Sequence, residues 1–192
     1  MQLPAAGPQP DDGQVNTRRQ EAPMFHSLVL KVTVALFAVA IVAAPVAGAD
    51  NRFVAPMSGG QENPPVDTNA TGVATFKLSS DGTELSFRLI AANIENVLMA
   101  HIHCAPTGVN GSIALWLYPD APPPALIPGR FQGVLATGTA TSAQITPVAD
   151  TAACPGGVAD LDDLLEKMRT GGAYVNVHTS QFGGGEIRGQ IH

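Results

Sequence analysis

Through most of the chain beyond residue 70, apolar and polar residues alternate with a period of two, in short stretches broken by turn residues. Successive side chains on a strand point to opposite faces, so these stretches predict half-polar β-strands. Gly72 to Leu78 (GVATFKL) and Glu84 to Ala91 (ELSFRLIA) flank Ser79-Ser80-Asp81-Gly82, where the Asp-Gly pair marks a hairpin turn. Asn96 to Cys104 and Ser112 to Tyr118 predict two more strands, parted by a loop with Pro106, Gly108 and Gly111. Pro119 to Gly129 carries five prolines and reads as irregular loop. Gly133 to Ile145 offers one or two strands, and Ala173 to Thr179 and Glu186 to His192 the last two. Asn51 to Val66 reads as a short lead rich in turn residues.

One stretch has the helical period instead. Between Asp160 and Thr170 the residues Leu161, Leu164, Leu165 and Met168 share a face, an Asp caps the start, and Gly171-Gly172 ends it. The pattern therefore predicts an all-β fold: an antiparallel, Greek-key-like β-sandwich with one short α-helix inserted between late strands.

The first fifty residues are set apart from that fold. Residues 1–23 are Pro-, Gln- and Asp-rich without hydrophobic period and read as disordered, or as untranslated if synthesis starts at Met24 rather than Met1. Residues 24–49 read as a signal peptide: Lys31, an apolar run VTVALFAVAIVAA, then Ala47-Gly48-Ala49 before Asp50. The run is shorter than the roughly 20 residues a spanning helix needs, so membrane contact is expected only through an uncleaved signal segment. Residues 50–192 form the folded domain, expected to be secreted, periplasmic or held at the cell surface. The chain is acidic, net −6, and has no basic cluster, which argues against nucleic acid as a partner. An extracellular or cell-surface protein or polymer is the expected partner class. Of the two cysteines, Cys104 and Cys154, an even pair in an exported chain favours a disulfide; two separate buried thiols are the alternative.

The candidate chemistry sits on the polar faces of three predicted strands. In MAHIHC, His101 and His103 share one face and Ala100, Ile102 and Cys104 the other. In AYVNVHT, Asn176 and His178 oppose Val175 and Val177. In the last strand Glu186, Arg188, Gln190 and His192 oppose Ile187 and Ile191. Two imidazoles two apart on a strand converge on one ion, and imidazole suits copper or zinc, so His101, His103 and His178 are candidate metal ligands. The other reading is a solvated polar surface, with Asn176, Glu186, Arg188 and His192 as a polar network fixing strand register. Hydrolase chemistry lacks its motifs: there is no Gly-x-Ser-x-Gly, and Gly183-Gly184-Gly185 lacks the helix and Lys of a phosphate loop.

Taken in order, MSGGQENPPVDTNATGVATFKL, MAHIHCAPTGVNGSIALWLY, the helix and GGAYVNVHTSQFGGGEIRGQIH resemble the CHRD domain, first described in chordin and present in secreted microbial proteins. The resemblance covers about Phe53 to His192. It implies an extracellular all-β module and carries no catalytic residues across.

Overall fold

The structure, a computed structural model, describes residues 51–192, so the expectations for residues 1–23 and 24–49, and the choice of start, lie outside the described residues. Its elements are β1 (Arg52–Ser58), β2 (Thr71–Leu78), β3 (Leu85–Cys104), β4 (Ser112–Tyr118), β5 (Ile127–Ala140), α1 (Leu161–Thr170), β6 (Ala173–Thr179) and β7 (Ile187–Gln190), with 3-10 turns at Gly59–Gln61 and Ser142–Gln144. All strand pairings are antiparallel. The all-β class and the helix between late strands are as the pattern predicts.

The sandwich is not. Hydrogen-bonded neighbours run β1 to β2, β2 to β3, β3 to β6, β6 to β7 and β7 back to β1, closing a five-strand barrel, while β4 and β5 are attached to β3. The reason lies in β3, which joins two stretches expected to be separate strands. Its first part bonds β2 and β5, and its end bonds β4 and β6. Between the two, Asn93 and Asn96 both adopt φ 55°, a left-handed conformation that Asn tolerates better than most residues. The register against β5 slips there, between Ala91 and Ile94 and between Glu95 and Val97. An extra residue in a strand bends it and reverses which side chains face the core. The buried positions shift accordingly, from Leu85, Leu89 and Ala91 to Ile94, then Val97, then Ala100, Ile102 and Cys104.

β1 is a strand where the sequence suggested only a lead. Phe53, Ala55 and Met57 alternate and are buried, but Pro56 obscures the pattern. Proline is tolerated where no ladder donor is needed. Val54 exchanges backbone bonds with His192, so Pro56, two residues on, turns its nitrogen to the same sparsely bonded side, where β1 meets β7 otherwise only at Ser58 and Arg188.

The helix closes the core. Asp160 accepts the Asp163 N–H, Gly171 ends the helix at φ 72°, and Leu161, Leu164, Leu165 and Met168 join the same apolar cluster as the strands. Cys104, at the end of β3, is bridged to Cys154 in the loop before α1, with Cα atoms 5.4 Å apart. Replacing both cysteines by alanine is expected to lower stability by about 2–4 kcal/mol, since the bridge closes a long loop in the unfolded chain. Urea unfolding measures this, and an unchanged midpoint would show that the bridge constrains nothing.

Candidate metal centre

All seven residues of β6 are buried. Val175 and Val177 enter the apolar core with Ala100 and Ile102, so Tyr174, Asn176 and His178 face the other way, together with His101 and His103 on β3. Register sets these residues side by side: Asn176 lies opposite His101, Tyr174 opposite His103, and His178 opposite Met99. That second face is covered. His101 is 0 %, His103 7 % and His178 5 % exposed, so the expected solvated surface is a buried polar layer instead.

Hydrogen bonds define which nitrogens carry protons. His103 Nδ1 lies 2.9 Å from the Gly111 carbonyl and His178 Nδ1 lies 3.0 Å from that of Gly183. A carbonyl only accepts, so both Nδ1 atoms are N–H and both Nε2 atoms carry lone pairs. His101 Nδ1 is 3.2 Å from His178 Nε2 and therefore donates to it, leaving a lone pair on His101 Nε2. One nitrogen from each ring lies within 4.8 Å of one from each of the others. The neutral forms are enforced: burial lowers His101 to a pKa of about 3, with His178 and His103 adding to the effect, and lowers His103 to about 4. Burial also lowers His178.

Aromatic and cationic groups wall the layer. Trp116 on β4 packs at 83° to His101, centroids 4.2 Å apart, and Tyr174 stacks on His103 at 4.9 Å. The Arg188 guanidinium lies 3.3 Å from the Tyr174 ring centre and donates to the Asn110 side chain and the Pro106 carbonyl, fastening the loop that also supplies Gly111. Arg188 is only 1 % exposed.

The remaining sequence candidates go to different places. Asn176 joins the layer, its Oδ1 unsatisfied. Glu186 is buried beside the layer, but its carboxylate accepts from Thr68 and Thr179 at 2.7 and 2.8 Å, anchoring the loop before β2 to the end of β6. His192 is exposed and lines a groove with Arg52, Lys77 and Arg88 on β1, β2 and β3, outside the imidazole group. Cys104 faces the core and is spent in the disulfide.

Sequence reasoning missed Glu62, Tyr174 and the position of Trp116. Tyr174 sits two residues before Asn176, so the period-two reading already places it on the histidine face. Glu62 follows the Gly59–Gln61 turn and has no periodic signal at all. Its side chain reaches a gap left by Gly185, at φ +124°. A methyl group there would collide with Glu62 Oε1 and sit 2.7 Å from Asn176 Nδ2. Burial raises the Glu62 carboxyl to a pKa of about 7, opposed by Arg188 and by the Asn63 N–H.

Among the described residues five buried side-chain atoms lack a hydrogen-bond partner: Glu62 Oε1, His101 Nε2, His103 Nε2, Asn176 Oδ1 and Gln190 Oε1. In the tautomers that the carbonyls impose, the two imidazole nitrogens and the two amide oxygens all accept, as does the Glu62 oxygen once ionised. Such a lining is short of donors, and a cation satisfies it. No acidic or thiolate side chain joins the three imidazoles as a ligand group among the described residues.

One family's sequence model, described as the CHRD domain, matches residues 53–191. No curated protein and no solved structure matches the chain.

The imidazoles make the metal-free fold acid-sensitive. An unfolded histidine titrates near about 6.5, whereas in the fold burial holds His101 at about 3 and His103 at about 4. Over that window the unfolded chain binds more protons, so stability is complete above about pH 6.5 and is lost as pH falls toward 4. Glu62 acts in the opposite sense, since burial raises its carboxyl from the ordinary 4.5 to about 7 in the fold, and its contribution is lost as pH rises through about 7. Urea midpoints of the chelator-treated protein should therefore rise from pH 4.5 to 6.5. His101→Gln should flatten the rise and Glu62→Gln should steepen it; a profile that all three share would contradict this assignment. Gly185→Ala should destabilise at every pH by displacing Glu62 and Asn176.

Proposed function

The chain belongs to the CHRD domain family, and from that premise we propose that it is an extracytoplasmic binding module whose ligand is a transition-metal ion, copper or zinc, held by His101, His103 and His178. The observation that carries this reading is the convergence of three buried, neutral imidazoles, with the His103 Nε2 and Asn176 Oδ1 acceptors beside them lacking a donor. Two of the rings have the second hydrogen bond that orients metal-bound histidine, Nδ1–H to a backbone carbonyl, which presents Nε2 to the ion. His101 Nδ1 faces His178 Nε2, so His101 would bind an ion through Nδ1 and carry its one proton on Nε2.

Export is supported by the Cys104–Cys154 bridge, which persists in oxidising compartments, and by the apolar run and small-residue site before Asp50. A purely structural role for the layer is the second reading, favoured by the same carbonyl bonds: they tie the Gly111 and Gly183 loops to the barrel whether or not an ion is present.

Titration of the purified chain with copper(II) and zinc(II), read by calorimetry and elemental analysis, separates the two. One ion per chain is expected, bound more tightly than about micromolar, with His103→Ala and His178→Ala each weakening it by about a hundredfold or more. Binding no better than millimolar, or equal binding by the variants, would leave the structural role.

A further inference from the structure

The imidazole site leaves a charge uncompensated. Three neutral rings and the Asn176 amide bring no negative charge to a cation, and Arg188 adds a buried positive one. A charge withdrawn from water without a counter-charge is costly. Two carboxylates are buried among the described residues, Glu62 and Glu186. Glu186 is satisfied by Thr68 and Thr179. Glu62 is 7 % exposed, and its Oε1 has no hydrogen-bond partner. No ion pair of Glu62 with Arg188 is formed within 4.0 Å. Instead Glu62 Oε1 and Asn176 Nδ2 crowd the same point, where Gly185 has no side chain, and the Asn176 amide lies against His103. Carboxyl, amide and imidazole thus form a line leading from the turn after β1 into the layer.

We propose that Glu62 is the counter-charge of the metal centre, a positioning residue acting through Asn176, so that uptake of a divalent ion and ionisation of this carboxyl are one event. The proposal rests on the reading of His101, His103 and His178 as ligands. In proton balance, the divalent ion enters, the Glu62 O–H bond breaks, and its proton leaves to solvent. The neutral rings contribute none, because the His101 proton only changes nitrogen and the Nδ1 protons of His103 and His178 stay in their bonds to the carbonyls of Gly111 and Gly183. The burial that keeps Glu62 protonated up to about pH 7 in the metal-free fold supplies the proton to be lost. The charged and titratable groups around it are Arg188 from β7 and Tyr174 from β6, with His103 from β3 beyond Asn176. The cleft beside it is otherwise lined by uncharged residues, among them Asn63, Thr107 and Gln190.

Zinc(II) binding to the full chain, by calorimetry at pH 6 in buffers of different ionisation enthalpy and by affinity between pH 5.5 and 8, tests this. About one proton should be released per zinc, and affinity should rise about tenfold per pH unit, levelling above about pH 7. In Glu62→Gln the release should fall to near zero, the pH slope should flatten, and binding at pH 8 should weaken by about tenfold. Glu62→Asp should recover part of the proton release. A Glu62→Gln protein with the same proton count and pH profile would overturn the role of Glu62 and leave the three ligands standing. If the unaltered chain binds no zinc, or His103→Ala binds it equally well, ligands and counter-charge fall together.

Discussion

Everything in this domain depends on one strand changing the face it presents partway along its length. β3 runs for 20 residues, long enough to serve two parts of the structure, but a regular strand would keep one parity throughout. Asn93 and Asn96, each in the left-handed region, break that parity. The cost of two such residues is modest because asparagine tolerates the conformation. The result is that one strand bonds β2 in its first half and β6 in its second, and the barrel closes through it. These two reversals cancel by Val97, and a third slip, between Val97 and Met99 against β6, decides which residues of MAHIHC look outward: without it His101 and His103 would enter the apolar cluster and Ala100 and Ile102 would leave it.

Closure has a second effect, which is to make β6 a strand without a solvent face. Its apolar side packs into the core and its polar side lies under the loops that contain Gly111 and Gly183. A buried polar layer is stabilising only if its hydrogen bonds are complete. Here the bonds to the loops are complete, and the inward-facing atoms of Glu62, Asn176 and the imidazoles are not. Arg188, stacked on Tyr174 and holding the Pro106–Asn110 loop, secures the edge of the layer and spends its charge on that task. Rigidity at the rim and unmet acceptors within are the combination expected of a preorganised cation site.

The strand periodicity made most of this legible. Alternation alone placed His101 and His103 opposite Ile102, and Asn176 and His178 opposite Val175 and Val177, and those faces are the ones observed. The helix, with its Asp160 cap and Leu161–Met168 stripe, was equally plain. What alternation cannot carry is parity across a bulge or the depth at which a face lies. The break at Asn93 and Asn96 looked like the end of one strand and the start of another, and without that continuity the closure of the sheet on itself could not be read. Polar side chains suggested water, whereas the loops that cover them are rich in glycine and proline and give no sign in sequence of where they fold back. Glu62 was invisible for the same reason: it is placed by a tertiary gap at Gly185, 123 positions further along the chain, and by no local pattern.

The position of the disulfide has its own consequence for the strand end that bears the histidines. Cys104 is the immediate chain neighbour of His103, and Cys154 pins it from the loop preceding α1. The bridge adds a covalent tie to an end of β3 that is already hydrogen-bonded to β4 and β6 on either side. One covalent tether therefore fixes how far the segment before the helix can stray from the imidazoles, a single residue away along the chain.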